Sequence, residues 1–285
     1  MNTQTVGMIG VGLLGSAIAK RLMHQGVSVH AFDLDQQQVK QLQGERCHPC
    51  LEAKQVIQNC DTVILSLPTS DDVLKLIEQI RDCVRPGQII LDTTTGDPDH
   101  MVTASRLLKS HDVEYLEANV AGSSEQAQAG EIALFLGGDV AVADSAQQTL
   151  SAISQQQFHM GSVGQASRFK LVHNMVLGLH RAVLAEGLAF AEALGFAPDK
   201  ALSVLEQTPA YSAVMKTKGK QMADRKYALQ ARLSQHLKDV RLILSEVNRI
   251  QATAPLSEAH KSLLEQAEAL GFGESDNSAV IEAYR

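Results

Sequence analysis

Lys170 and Asn174 stand four residues apart in Gly161-Ser-Val-Gly164-Gln-Ala-Ser-Arg-Phe-Lys170-Leu-Val-His-Asn174. On a helix that spacing puts both side chains on one face. An amine partly withdrawn from water titrates toward neutrality and exchanges a proton with a substrate hydroxyl, with the amide beside it. Taken alone, such a lysine is most often an ordinary surface residue. Its neighbourhood changes the reading. Far upstream, Gly10-Val-Gly12-Leu13-Leu14-Gly15 follows the apolar run Val6 to Ile9 and opens Ser16-Ala-Ile-Ala-Lys-Arg-Leu22. Between a strand and a helix, the first glycine allows a tight turn. The second lets backbone approach a pyrophosphate, and the third lets the helix pack on the strand. The helix start offers free N–H groups and partial positive charge to phosphates. Dinucleotide binding with hydride transfer, and proton transfer at Lys170, is the expected chemistry.

Asp33 lies 18 residues beyond Gly15, at the end of the next apolar run, where an acid hydrogen-bonds the adenosine ribose. A 2′-phosphate would meet that carboxylate and Asp35, with no arginine beside them, so NAD is expected and NADP is less favoured. The bland alternative is a solvated loop acid. Two further strand ends, Ser66-Leu67-Pro68-Thr69 and Asp92-Thr-Thr-Thr95-Gly96-Asp97-Pro98, point to the same sheet edge. Ligands of open α/β sheets bind there. By composition alone, the second stretch is a helix cap and turn.

Up to about residue 160 short apolar runs alternate with helix-period segments, which predicts an α/β domain with a mostly parallel sheet. Expected strands are Val6 to Ile9, Val27 to Phe32, Thr62 to Leu67, Gln88 to Leu91, Val113 to Glu117 and Ile132 to Leu136. Leu14, Ala17, Ile18 and Leu22 give the first helix one buried stripe. After residue 164 the alternation stops, which predicts an all-α domain. The expected division is 1–163 for dinucleotide binding and 164–285 for substrate and oligomer contacts. The stretch from Gln165 to Leu194 is apolar around its circumference, predicting a long interdomain helix buried on several sides. Gly178 and Gly187 inside it suggest close approach by another element.

A chain of 285 residues with 45% apolar and 20% charged side chains is ordinary for a globular protein. Its net charge of -7 gives no footprint for nucleic acid. The opening residues have no cationic and apolar leader pattern, and no run reaches the length of a membrane span, so a cytoplasmic location is expected. Cys47-His-Pro-Cys50 has half-zinc or redox spacing, but no second close ligand pair accompanies it, and no metal is expected.

Over its whole length the sequence resembles the β-hydroxyacid dehydrogenases, which include 3-hydroxyisobutyrate dehydrogenases, tartronate semialdehyde reductases and glyoxylate/succinic semialdehyde reductases. The resemblance is carried by Gly10 to Leu22, Leu67-Pro68, Asp92 to Pro98, Glu117 to Gly138, Gly161 to Asn174, Lys238-Asp239, and Gly271-Phe-Gly273 to Asp276-Asn-Ser-Ala-Val-Ile281. It implies a Rossmann domain followed by a helical domain that makes a homodimer or homotetramer. It also implies Lys170 as acid/base, Asn174 as substrate holder, Gly122 in the carboxylate pocket, Thr95 at the nicotinamide end, and Lys238 and Asp239 reaching the cleft. The substrate implied is a small 3-hydroxy acid or semialdehyde.

Two departures stand out. The family's usual Asp-x-Pro-Val-Ser-Gly-Gly is Glu117-Ala-Asn-Val-Ala121-Gly122-Ser123-Ser124, so a serine is missing at Ala121 and two hydroxyls follow at Ser123 and Ser124. Ala231 stands where short-chain semialdehyde reductases carry an aromatic residue. An NADPH-linked aldehyde or imine reductase and a non-catalytic dinucleotide-binding module are the competing readings.

Overall fold

A computed structural model of the protein describes residues 4–42 and 44–285. The first three residues of the opening stretch read above as leaderless therefore lie outside the described ones. Contacts divide the chain into one unit up to Lys170 and a second from Leu171 on.

The first unit is built on an eight-stranded sheet. Its strands are β1 (Thr5–Ile9), β2 (Ser28–Phe32), β3 (Cys47–Pro49), β4 (Thr62–Leu65), β5 (Ile89–Asp92), β6 (Glu114–Ala121), β7 (Ala133–Gly137) and β8 (Gln156–Gly161). Their order is β3-β2-β1-β4-β5-β6-β7-β8. β1 to β6 run parallel, β7 runs antiparallel to β6, and β8 follows β7. Strand order reverses between β1 and β4, so the glycine turn after β1 sits at the crevice where such sheets bind ligands.

Helix α1 (Leu13–His24) forms because Ala17, Ile18 and Leu22 make one apolar stripe, and all three are buried with Gly15 and Ala19. It stops at Gly26, whose φ of 87° is left-handed. α4 (Ser70–Ile80) is capped by Thr69, whose hydroxyl accepts from Asp72 N, with Asp71 and Asp72 in its first turn. α5 (Pro98–Lys109) starts at Asp97 as cap with proline at its first position. The cap-and-turn reading of Gly96-Asp97-Pro98 is therefore real.

Two strands, β3 and β8, were not expected from the sequence. β3 has three residues on an edge, and β8 holds no buried residue, so neither shows a buried apolar run. β6 also runs on to Ala121, four residues past its expected end, because Ala118 and Val120 are buried and β7 pairs with that extension.

Helix α9 (Gln165–Ala193) crosses from one unit into the other. Burial on several sides was expected of it, but in the single chain Val172, Val176, Val183, Phe190 and Leu194 are exposed, Val183 at 71%. Gly178 leaves room for two imidazoles: a Cβ there would lie 2.7 Å from His236 Nε2 and 2.8 Å from His260 Cε1. Gly187 faces open space.

The second unit packs the later turns of α9 with α10 (Pro198–Leu205), α11 (Lys220–Asp224), α12 (Leu233–Arg249) and α13 (Pro255–Ala267) around Leu188, Leu233, Leu237, Leu264 and Ile281. A buried ion pair, Lys218 Nζ to Asp276 Oδ2 at 2.8 Å, fastens the segment before α12. The Asp276 carboxylate also accepts from Gln230 N and Ala231 N.

Candidate functional site

The residues singled out in the first unit converge on one sheet edge through backbone ties between strand ends. Gly10 N donates to Phe32 O, Ser66 N to Ile9 O, and Thr93 N to Leu65 O, each at 2.9 Å. Gly10 has φ of 91°, and a Cβ on it would collide with the Ser66 carbonyl. A Cβ on Gly15 would strike the Gly10 carbonyl, so the glycine is what lets α1 sit against the turn.

Gly12 differs from both, because a Cβ there would meet nothing within 4 Å. The free space faces the start of α1, whose cap position makes no side-chain hydrogen bond and whose first turn holds no acid. Uncapped N–H groups beside open space suit an anionic pyrophosphate. Leu13 and Leu14 form that first turn. The residues present thus fit a dinucleotide.

Asp33 closes the same edge. Its Oδ2 accepts from Val11 N at 2.7 Å and its Oδ1 from Asp35 N at 2.9 Å, so the carboxylate is fixed against the glycine turn. At the β4 end, Leu67 N donates to Thr94 Oγ1 at 3.1 Å, which brings Leu67-Pro68 beside Thr94-Thr95. Asn119 Nδ2 donates to Thr94 O at 2.8 Å and ties that loop to β6.

Beyond β6, Gly122 has φ of 152°, and a Cβ on it would lie 2.5 Å from Ile132 Cγ2. Ser123 caps the short helix α6 (Ser124–Ala129) in a reciprocal box with Gln126. Its hydroxyl accepts from Gln126 N at 3.2 Å, and Gln126 Oε1 accepts from Ser123 N at 2.9 Å. One of the two hydroxyls after Ala121 is thus engaged in helix capping, while Ser124 is the first residue of α6.

Lys170 lies in the second turn of α9 and is 8% exposed. Asn174, one turn further, is 7% exposed. Both are on one helical face and largely withdrawn from water. In the second unit Asn174 Nδ2 donates to Asp239 Oδ2 at 2.9 Å, and Lys238 Nζ pairs with Asp239 Oδ1 at 3.1 Å. The structure therefore joins Asn174, Lys238 and Asp239 directly.

Beneath Asn174 the same unit buries a basic cluster that the sequence reading did not single out. Arg181 Nη2 and His236 Nε2 are 2.9 Å apart, and His236 packs tilted against His260 with ring centroids at 5.2 Å. Burial lowers Arg181 to about 10, against the pull of Asp276 and Asp239. Burial, with Arg181 adding repulsion, lowers His260 to about 4.

Glu117 was also missed as a site residue, because the sequence places it at the expected end of a strand that already carries Glu114, where an acid does not stand out. It is 1% exposed, and burial raises its carboxyl to about 7 against three hydrogen bonds, with neighbouring Asp92 adding to the rise. Its Oε2 accepts from Gly164 N at 2.7 Å. Its Oε1 accepts from Ser167 N at 3.2 Å and from the Ser167 hydroxyl. Beside it, burial raises Asp92, which accepts from the Tyr115 hydroxyl at 2.7 Å.

An open cleft of about 720 Å³ lined by Val102, Arg106, Gly138, His159, Ser162, Arg168 and their neighbours holds none of these residues. Among the described residues no group of three or more His, Cys, Asp or Glu is placed to hold a metal. No described helix is long and apolar enough to cross a membrane.

Residues 5–161 match the NAD binding domain of 6-phosphogluconate dehydrogenase, and residues 164–284 match the NAD-binding family of NADP-dependent 3-hydroxyisobutyrate dehydrogenase. The 2-(hydroxymethyl)glutarate dehydrogenase of Eubacterium barkeri is 26% identical over 98% of this chain and 94% of its own. Glyoxylate/succinic semialdehyde reductase 1 of Arabidopsis thaliana is 25% identical over 98% of both chains. A 3-hydroxyisobutyrate dehydrogenase structure from Salmonella typhimurium superposes with a TM-score of 0.91 at 22% identity, covering 98% of this chain and 99% of that one, and so shares the fold. With both halves matched in order and these relatives aligned nearly end to end, the chain belongs to the β-hydroxyacid dehydrogenase family.

Proposed function

We propose that the protein is an NAD-dependent oxidoreductase interconverting a small 3-hydroxy acid and its semialdehyde, with Lys170 as the acid/base. The observation that carries this reading is a buried lysine one turn before a buried asparagine on α9, in a chain whose first unit ends in a dinucleotide-fitting edge. The dinucleotide, when bound, supplies the hydride acceptor or donor. Gly10, Gly12 and Gly15 would hold its pyrophosphate, Asp33 its ribose hydroxyls, and Leu67, Pro68 and Thr95 the nicotinamide side; Lys238 is the remaining cofactor contact proposed. Lys170 takes the proton from the substrate hydroxyl on oxidation and returns it on reduction. Asn174 orients that oxygen, steadied by its bond to Asp239. Backbone N–H groups near Gly122 grip the substrate carboxylate, with Ser124 as the side-chain candidate.

NAD over NADP is supported by the Asp33 carboxylate, fixed by Val11 N and Asp35 N where a 2′-phosphate would sit. Self-association as a homodimer or homotetramer is supported by the exposed apolar stripe along α9, which an isolated chain would leave in water. Light scattering of the purified protein checks it, and a monomer at micromolar concentration counts against it. Free thiols at all four cysteines fit a reducing compartment such as the cytoplasm.

Turnover of 3-hydroxyisobutyrate, glyoxylate and succinic semialdehyde with NAD(H) and NADP(H) tests the reading. Activity on at least one, lost in Lys170→Ala, is expected. Tight NADH binding with no turnover on any hydroxy acid or semialdehyde would instead favour a dinucleotide-binding module without catalysis.

A further inference from the structure

The first turn of α9 is held by a side chain from another element. Gly164 N and Ser167 N belong to the free N–H groups of a helix start, and both donate to the Glu117 carboxylate, as does the Ser167 hydroxyl. The acceptor stands 47 and 50 positions earlier, in the middle of β6. Room for it is made by Gly137, its partner on β7: a Cβ there would collide with Glu117 Oε2 and come within 2.9 Å of Ala166 Cβ. A second tie runs from the same turn, since Ser167 Oγ lies 3.4 Å from Asn119 Oδ1, and Asn119 holds the carbonyl of Thr94. The start of α9 and the loop carrying Thr95 thus share one buried polar chain.

Lys170 follows Ser167 by three residues, so it rises about 4.5 Å along the same rigid helix. Any shift or fraying of that first turn moves the amine by a comparable amount. We propose that Glu117 is a positioning residue for Lys170: its carboxylate fastens the first turn of α9 to β6 and so fixes where the proton-transferring amine stands relative to the Thr94-Thr95 loop. The inference rests on the reading of Lys170 as acid/base.

Burial raises the Glu117 carboxyl to about 7, and Asp92 on the adjacent strand adds repulsion, so the ionised form is held at a net expense to the fold. Tyr115, the other titratable group beside it on the sheet, is itself raised well above its ordinary range by burial and by Asp92.

The test compares Glu117→Gln, Glu117→Asp, Ser167→Ala and Lys170→Ala in the full chain. Turnover is measured on the fastest of 3-hydroxyisobutyrate, glyoxylate and succinic semialdehyde, NADH affinity by fluorescence, and amide hydrogen exchange over residues 162–170. Glu117→Gln should exchange that segment at least tenfold faster and lose kcat roughly ten- to 100-fold with NADH affinity within twofold, an effect of a size that one misplaced catalytic group produces. Glu117→Asp keeps the charge and should recover part of kcat. Ser167→Ala should lose kcat by a smaller factor in the same direction. A folded Glu117→Gln with unchanged exchange over 162–170 overturns the inference, whether or not a substrate turns over, and so does unchanged kcat. If Glu117→Gln does not fold, Ser167→Ala decides: a kcat loss at unchanged NADH affinity supports the inference, and wild-type kcat overturns it. Lys170→Ala at the wild-type rate brings down the acid/base reading and this inference with it. Lys170→Ala inactive with Glu117→Gln at the wild-type rate brings down this inference alone.

Discussion

Asn174 donates its side-chain amide to the carboxylate of Asp239 at 2.9 Å, across 65 positions of sequence. Both groups are less than a tenth exposed, and Lys238 pairs with the second carboxylate oxygen at 3.1 Å. An amide held in this way has its orientation set by an acid on another helix.

Replacing Asp239 should therefore act through Asn174. A hydrogen bond to a charged partner is worth about 1.5 to 3 kcal/mol, so Asp239→Ala should lower kcat/KM roughly ten- to 150-fold. NADH affinity should stay within threefold. Steady-state kinetics beside a fluorescence titration check this, and wild-type kcat/KM in Asp239→Ala would remove Asp239 from the site.

Lys170→Ala should bind NADH normally and lose turnover by a factor of about 100 to 10,000, the usual worth of a positioned acid/base. Lys170→Arg should not recover it, because a guanidinium stays protonated near neutral pH. An arginine variant as fast as wild type would show that charge, and not proton exchange, is what the position supplies.

The fixed carboxylate of Asp33 should set cofactor choice. NADH should bind at least about tenfold, or 1.4 kcal/mol, more tightly than NADPH. Asp33→Asn should narrow that gap by removing the charge facing the 2′-phosphate. Equal binding of the two cofactors by the wild type would reject the assignment.

The two serines after Gly122 should separate. Ser123 caps α6, so Ser123→Ala should cost about 0.5 to 2 kcal/mol of stability, seen as a lower Tm. Ser124→Ala should leave Tm nearly unchanged and lower kcat/KM on a carboxylate substrate by about tenfold or more. Ala121→Ser should improve activity on small 3-hydroxy acids. If all three variants leave kcat/KM unchanged, the loop does not grip a carboxylate.

Two buried groups should give opposite pH signatures. His260, lowered to about 4, stays neutral in the fold while the unfolded chain protonates near 6.5, so its contribution of about 3 kcal/mol is present above 6.5 and lost as pH falls toward 4. Glu117, raised to about 7, keeps its proton in the fold through the acid range where the unfolded chain has already lost it and ionises only near neutrality, so stability falls as pH rises from about 4.5 to 7. Urea unfolding between pH 4.5 and 7.5 separates them: His260→Asn should lose the acid-side decline, and Glu117→Gln the decline toward neutrality. Parallel curves for wild type and both variants would contradict these protonation states.

Gly10, Gly12 and Gly15 needed only a strand before and a helix after to be read, because the left-handed turn at Gly10 and the packing of Gly15 on it are local properties of that segment. Lys170 and Asn174 share a face by helical period alone, and five parallel strands and the antiparallel β7 were visible as apolar runs because residues between two layers of helix must be apolar. Strands without that burial stayed hidden: β3 with three edge residues, and β8 with none fully buried. The interactions that decide orientation lie outside local pattern altogether. Glu117 meets Gly164 and Ser167 from 47 and 50 positions away, Asp239 meets Asn174 from 65, and His236 meets Arg181 from 55. In sequence no period or spacing marks the partner of any of them. Only the closed fold excludes water from it and brings the group that satisfies it within hydrogen-bond reach.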